Sequence, residues 1–230
     1  QGYASGNKFV AEGLPLNTFL MPKYAGVDKT NGLPRWYKDI LGDNGEVIGT
    51  TMTSEYSEAT EYLCDDPTPK LYGGFGTSFN FYNFDISAAF TYSIGGLTYD
   101  SGYASYMSPP GGTVGSNFHR DVLKAWTPEN KDSDVPRFVY QDQNINASSD
   151  RFLVPASYLN FQNAQIGYTI PSKITSRIKV DRVRVYVACD NIWYWSYRHG
   201  LDPRSSFSGG TNYASNSPVR TITGGINITF

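Results

Sequence analysis

The side chains that could do covalent or metal chemistry in this chain are few and scattered. His119 and His199 lie far apart, and no HExxH, GxSxG or phosphate-binding glycine loop accompanies them. Cys64 and Cys189 form no CxxC or Cys/His metal spacing and read as two free or buried thiols. A glycosidase would need two carboxylates about 5–10 Å apart, and no spacing here fixes such a pair. The sequence therefore points away from an enzyme, and no cofactor or metal is expected. Asp39 to Asp66 carries eight acidic residues (Asp39, Asp43, Glu46, Glu55, Glu58, Glu61, Asp65, Asp66) and no Lys or Arg. Such a loop could hold a cation or a basic partner, but it lacks EF-hand spacing and reads as a solvated acidic loop. Asp28 to Gly32 lacks that spacing too and reads as a turn. What remains is recognition by aromatic surface. Trp193, Tyr194, Trp195 and Tyr197 could stack on a sugar ring or form an interfacial girdle. Trp193 and Trp195 share a strand face and Tyr194 takes the other, so the two roles can divide between them, with the girdle expected for the tryptophans.

The elements that carry these residues are strands. Among 230 residues, 15% are aromatic and only 17% charged, against about 25% charged in ordinary soluble domains. A formal charge of −2 gives no basic field for nucleic acid. The longest apolar run, Val185 to Cys189, is five residues, whereas a membrane helix needs about 20. Phe84, Ile86, Ala88, Phe90, Tyr92 and Ile94 alternate with Asp85, Ser87, Ala89, Thr91 and Ser93, the period of a strand with one apolar face. Phe75, Thr77, Phe79 and Phe81 precede it across Tyr82-Asn83, a hairpin spacing. Ala164, Ile166, Tyr168 and Ile170 make a further strand, and Val183, Val185 and Val187 begin another that runs into Trp193 to Trp195. At the C-terminus Ile222, Gly224, Ile226, Ile228 and Phe230 share a face, and Ile226, Ile228 and Phe230 have the form of a barrel-assembly signal. The pattern predicts an all-β up-and-down meander of six strands near 17–26, 72–82, 84–95, 152–170, 181–195 and 219–230. Pro22 interrupts the first.

Connections alternate between short (Tyr82-Asn83, Pro171 to Val180) and long (27–71, 95–151, 196–219), the asymmetry of a membrane barrel. Ser116 to Trp126 predicts an amphipathic helix with Phe118, Val122 and Trp126 inward, and Ser54 to Leu63 a second. Lys173, Arg177 and Lys179 fall on a short turn and are expected at the periplasmic surface. The opening residues Gln1-Gly2-Tyr3-Ala4 show no signal-peptide pattern, so a mature form or a piece of a longer chain is expected.

Several stretches together resemble the C-terminal part of the SusC/RagA-type TonB-dependent outer-membrane transporters. They are Glu12 to Leu16, Tyr24 to Asp28 with Gly32, Pro69 to Phe75, Phe84 to Ser87, Trp126 to Asn130 with Val135-Pro136-Arg137, and Ala156 to Leu159. Gly167 to Pro171, Arg184 to Val187, Asn191-Ile192, Asp202-Pro203 and the strand to Phe230 complete the set. The order and spacing fit over nearly the whole chain.

The resemblance implies that residues 1–230 are a segment of a transmembrane β-barrel of about 22 strands, without its plug and N-terminal strands. It implies the outer membrane of a Gram-negative bacterium of the Bacteroidetes. TonB-energised uptake of oligosaccharide or peptide is implied, together with a SusD-like lipoprotein lid, TonB acting through the absent N-terminal part, and membrane lipid. Phe118, Trp126 and His199 would then be loop contacts to lid or substrate. The competing reading is a secreted carbohydrate-binding β-sandwich.

Overall fold

The computed structural model describes residues 2–107, 115, 117–139, 142, 144–205, 209–211 and 218–230. In chain order the strands are β1 (Gly2–Ser5), β2 (Lys8–Ala11), β3 (Thr18–Pro22), β4 (Tyr24–Val27), β5 (Pro34–Leu41), β6 (Val47–Thr53) and β7 (Glu61–Leu63). They continue as β8 (Leu71–Phe81), β9 (Phe84–Ile94), β10 (Leu97–Asp100), β11 (Leu153–Pro155), β12 (Tyr158–Thr169), β13 (Arg182–Ser196), β14 (Gly210–Thr211) and β15 (Thr221–Thr229). Two short helices, α1 (Ser101–Tyr106) and α2 (Ser172–Thr175), accompany them. The chain divides into two units: one draws on residues 1–68, 96–155 and 206–215, the other on 69–95, 156–205 and 216–230.

The second unit is one antiparallel sheet in the order β15-β13-β12-β9-β8, so strands adjacent in that unit's sequence are adjacent in space. The β8–β9 hairpin closes with Phe81 opposite Phe84, and Tyr82 turns the corner at φ 52°. β12 and β13 are joined by α2 and a 3-10 turn over Ser176–Ile178, ending on Lys179 at φ 55°. Both connections sit at one end of the sheet, since Phe84 pairs with Tyr168 and Thr169 with Arg184. Every longer excursion of the chain leaves from the opposite end.

Register sorts the side chains cleanly. Phe75, Phe90 and Phe161 stack in a row (centroids 5.0 and 4.4 Å apart) on one face. Asp85, Ser87, Thr91, Asn160, Arg184 and Asn227 share the other. An extra residue in β12 between Phe161 and Asn163 keeps this sorting intact along the whole strand. Strands of 11 to 15 residues are long for a small sheet. At about 3.3 Å per residue and a barrel tilt near 45°, 11 residues rise about 25 Å, the height of a membrane barrel's apolar band.

The other unit has the core. Phe19 and Phe152 are fully buried, and Trp36 is 1% exposed between Tyr24 and Tyr56, whose rings meet it edge-on at 6.5 and 5.2 Å. Its sheets have the orders β1-β2-β3-β7, β4-β5-β6 and β11-β10-β14.

Four expectations are corrected here. The strand expected at 17–26 is not a sixth member of the long meander. It splits into β3 and β4, which join different small sheets. Thr18, Phe19, Met21 and Pro22 are all buried, so β3 has no exposed apolar face to offer lipid. The strand expected at 152–170 likewise divides, with β11 in the first unit and β12 in the long sheet. The helix expected at 116–126 is, among the described residues, one 3-10 turn over Arg120–Lys124, capped by the His119 side chain accepting from the Asp121 amide at 3.2 Å. It stops because the Trp126 amide is taken by the Val135 carbonyl at 2.9 Å. Ser116 lies outside the described residues. The second expected helix is a 3-10 turn over Tyr56–Glu58 followed by β7, which is drawn into pairing with β3.

Candidate functional site

No buried apolar side chain of this protein's core belongs to the five long strands. Their apolar face is open: Phe75 56%, Phe79 57%, Ile86 43%, Val187 48% and Ile226 64% exposed. A continuous surface of this kind on a sheet with no covering layer in its own unit demands an apolar surrounding. Aromatic side chains gather at both ends of that face. At the turn end Phe84 and Tyr168 lie 4.7 Å apart, and Phe81 packs on Tyr82 at 4.5 Å. At the far end are Tyr92, Trp193 and Trp195, the tryptophans about half exposed. The rows between are mainly aliphatic, with Ile86, Ile166 and Val187 beside Phe79 and then Ala88 and Ala164 between Thr77 and Cys189. Paired aromatic rows bounding an aliphatic band are what a lipid–water boundary selects on each side of a membrane.

The opposite face is polar and tightly bonded. Arg184 on β13 reaches across β12 to Asp85 on β9. Its Nε donates to Oδ1 at 2.9 Å and its Nη2 to Oδ2. The reach is possible because Gly167 lies between them. A Cβ there would collide with the guanidinium and stand 2.6 Å from the carboxylate. Three strands are thus clamped by one planar pair, a geometry arginine supplies and lysine cannot. Tyr186 lies flat over Gly225 in the next row, where a Cβ would stand 2.6 Å from the ring.

Toward the far end, Arg204 joins a second network. It makes paired bonds to Asp202 (2.8 and 2.7 Å), donates to Asn160 Oδ1 at 2.6 Å, and stacks 4.7 Å from the Tyr194 ring. Asn160, only 5% exposed, passes the connection to Thr91 at 3.2 Å. The Asp202 carboxylate holds the Arg204 guanidinium pKa above its ordinary value. Beside this network a concavity of about 690 Å³ is lined by Trp193, Tyr194, Trp195, His199, Arg204 and Arg220, among others.

The structure therefore gathers Trp193, Tyr194, Trp195, Tyr197 and His199 at one end of the long sheet. The two tryptophans and Tyr194 point to opposite faces, as their spacing predicts. Ile226 and Ile228 sit on the apolar face opposite Val185 and Val183, and Phe230 follows β15 fully open at 87% exposure. Phe118 and Trp126 belong to the other unit. Phe118 meets Phe138 edge-on at 5.3 Å, and Trp126 covers Gly32 while its indole donates to the Lys29 carbonyl at 3.3 Å. Sequence reasoning put Asp85 on the polar face but missed its pairing with Arg184 and the network of Arg204. The only signal was a glycine in the middle of a strand, a common mark of close approach.

The acidic stretch does not converge. Asp39 accepts from the Tyr62 hydroxyl at 2.5 Å, and Glu58 pairs with Lys38 at 2.9 Å, which lowers the Glu58 pKa. Asp66 accepts from the Thr68 amide at 2.7 Å. Among the described residues no three His, Cys, Asp or Glu side chains come together as a metal cage. In the turn at 28–32, Asp28 accepts from both the amide and hydroxyl of Thr30 at 2.8 and 2.6 Å, which closes the loop on itself.

Comparison with known proteins fits this geometry. No family model matches the chain. TonB-dependent receptor P3 of Formosa agariphila is 28% identical over 237 residues, a match to 97% of this chain and 23% of the relative. TonB-dependent receptor P26 of the same organism is 27% identical over 175 residues, matching 71% of this chain and 17% of the relative. Among solved structures, the RagAB peptide transporter superposes over the whole chain with a TM-score of 0.80 at 26% identity, using 25% of that chain. The RagAB importer in its "open-open" state gives the same TM-score and identity.

The chain is thus similar to two TonB-dependent receptors and to the RagAB transporter, in line with its resemblance to the SusC/RagA-type transporters. It spans about a quarter or less of the length of the relatives it matches. Its antiparallel sheet matches the fold of the RagAB transporter over the superposed residues, and its place is with the outer-membrane β-barrels. The relatives are named as receptors and a transporter, not as enzymes. No helix among the described residues is long and apolar enough to cross a membrane.

Proposed function

We propose that this chain is the C-terminal part of the wall of a barrel of about 22 strands that takes up nutrient across the outer membrane, energised by TonB. The observation that carries this is the five-stranded meander with one open apolar face bounded by aromatic rows and one bonded polar face. The apolar face, with Phe84, Ile86, Phe90, Ile226, Ile228 and Phe230, meets lipid. The polar face, with Asp85, Ser87, Asn227 and Thr229, lines the lumen. The turns at Tyr82-Asn83 and 171–180 face the periplasm, and the longer excursions face the exterior. There they supply surface to a SusD-like lipoprotein lid and to substrate, with Phe118, Trp126, His199 and the Tyr194–Arg204 concavity as contacts.

The RagAB neighbours are named as a peptide transporter, and on that likeness peptide is the first substrate class to test, with oligosaccharide second. The sandwich reading has little support, because among the described residues the long sheet has no second sheet packed on its apolar face within its unit. The test is uptake of labelled peptide mixtures and of labelled oligosaccharides by cells with and without the full receptor gene. Gene-dependent accumulation that a protonophore abolishes is expected. Uptake unaffected by the gene or by the protonophore would refute the assignment.

A further inference from the structure

The turn joining β12 to β13 carries a feature that a mere connector does not need. Over residues 172–178 only Thr175 is buried, at 1% exposure. Its hydroxyl bonds to the carbonyls of Ser172 and Asp181 at 3.4 and 3.5 Å, and its carbonyl accepts from the Val180 amide at 3.2 Å. That anchor turns two stripes outward. Ile174 and Ile178, four residues apart, are 57% and 66% exposed. Lys173 and Arg177, also four apart, lie beside them, and Lys179 follows on the left-handed residue that ends the turn. Asp181 is the only acid in the turn.

Apolar and basic stripes side by side on a short helical segment are the chemistry of a surface that lies in a headgroup layer. The position agrees. Three residues separate Tyr168, in the aromatic row at this end of the apolar face, from Ser172. The segment therefore begins within about 13 Å of chain from that row, or about 9 Å along the membrane normal at a barrel tilt near 45°, at the depth where phosphates lie if the row marks the lipid boundary.

We propose that α2 and the 3-10 turn after it form an interfacial anchor on anionic phospholipid in the leaflet next to the turns. Ile174 and Ile178 enter the headgroup–acyl boundary, and Lys173, Arg177 and Lys179 bind lipid phosphates. The exposed stripes stand at the turn end of the sheet whose apolar face the bilayer would cover, so that bilayer is the occupant, and three bases against one acid match its charge. This rests on the wall reading above, and the test separates the two.

The full receptor, with Cys64 and Cys189 replaced by alanine, is placed in nanodiscs of phosphatidylcholine alone or mixed with phosphatidylglycerol. Nitroxide labels are attached in turn at Ile174→Cys, Ile178→Cys and, as a reference on the wall, Ile86→Cys. Collisions with oxygen and with a water-soluble nickel chelate report depth. We expect labels at 174 and 178 to favour oxygen. That preference should rise at least about twofold with phosphatidylglycerol, since each basic residue near an anionic surface adds attraction. Lys173→Gln/Arg177→Gln/Lys179→Gln should remove the rise and leave the reference label unchanged. Nickel-accessible labels at 174 and 178 in both lipids, with Ile86 still in contact with oxygen, would overturn the anchor alone. So would insertion indifferent to phosphatidylglycerol and to the triple substitution, or shielding that persists in detergent, which would mean protein cover. Nickel access at Ile86 would overturn the wall reading itself.

Discussion

At the scale of single residues, the two faces of one strand make opposite demands on the same substitution. Ile86 and Ser87 are neighbours in β9 with side chains on opposite faces. An arginine at Ile86 must carry its charge into lipid partway between the aromatic row and the midplane. That costs roughly 2 kcal/mol, the lower end of what barrels show at the midplane. Ser87→Arg, facing water, should cost no more than about 0.5 kcal/mol. Folding of the full receptor into lipid vesicles under urea measures both, and equal costs would remove the assignment of faces.

Lys8 offers a test in the other unit. Its ammonium lies 3.1 Å from the centre of the Phe19 ring and donates to the Asn17 carbonyl at 3.1 Å. Burial holds its pKa down to about 8 from 10.5, with Asp66 pulling weakly the other way. Below pH 8 the residue is charged whether folded or not, and the fold bears the desolvation cost. From pH 8 to 10.5 the unfolded chain holds the proton and the folded one does not, so stability rises across that window and then levels. Competitive acylation of amines read by mass spectrometry should give Lys8 a midpoint near 8. A midpoint at the ordinary lysine value would contradict the burial seen here.

At the scale of elements, strict alternation is what made strands readable. The Phe75–Ile94 hairpin, the β12 and β13 strands and the last strand all show it, because each has one face against each of two unlike surroundings. β3 does not, since Phe19, Leu20 and Met21 run on without alternation inside a core that surrounds them. A buried run of that kind looks the same as a wall strand broken by a proline. The 116–126 helix had the right apolar spacing, but the partner that ends it, Val135, is a distant carbonyl. The clamp was invisible for a similar reason. Asp85 and Arg184 stand 99 residues apart, and only the register of three strands unites them. The aromatic cluster at 193–197 was legible because Trp193, Tyr194 and Trp195 are neighbours in one strand and Tyr197 directly follows it.

The extra residue in β12 gives the element-scale prediction. Between Phe161 and Asn163 the ladder shifts, which lets Phe161 stack on Phe90 while Asn163 stays with the polar set. Deleting Gln162 should leave Phe161 on Phe90 and Asn163 on Ala89 in an unshifted ladder with β9. The strain then falls on β13, where one step of β12 must face the three from Trp193 to Asp190, so Phe161 loses Trp193. Gln162→Ala keeps the residue count and should assemble normally. Heat-modifiable migration of the receptor in gels separates the two, and normal assembly of the deletion would show that the bulge is dispensable.

At the scale of the whole molecule, a sheet that ends on β8 and β15 has two open edges among the described residues. In lipid each unpaired backbone group costs several kcal/mol, because no water is there to satisfy it. Barrels solve this by closing, and bacterial ones need at least about eight strands to do so. Expressed alone, residues 1–230 should therefore neither transport nor give a stable monomer in detergent. Co-expression with the preceding part of the receptor should restore a heat-modifiable species by pairing at both edges. A monodisperse, heat-modifiable monomer of the isolated segment would overturn the wall reading.

Every long excursion of the chain leaves the sheet from the same end, while the other end is closed by a two-residue corner and a short clasp. That arrangement separates two kinds of inheritance. A change in length at the turn end alters the pairing of strands and spoils the wall, so drift there is confined to substitution. Length at the opposite end is free: segments can be gained, lost or exchanged between receptors without moving a single rung of the ladder. A lineage meeting a new nutrient could thus remake its binding surface by insertion and recombination while passing on the same wall. Among receptors of this kind, gaps should crowd at one rim and be rare at the other.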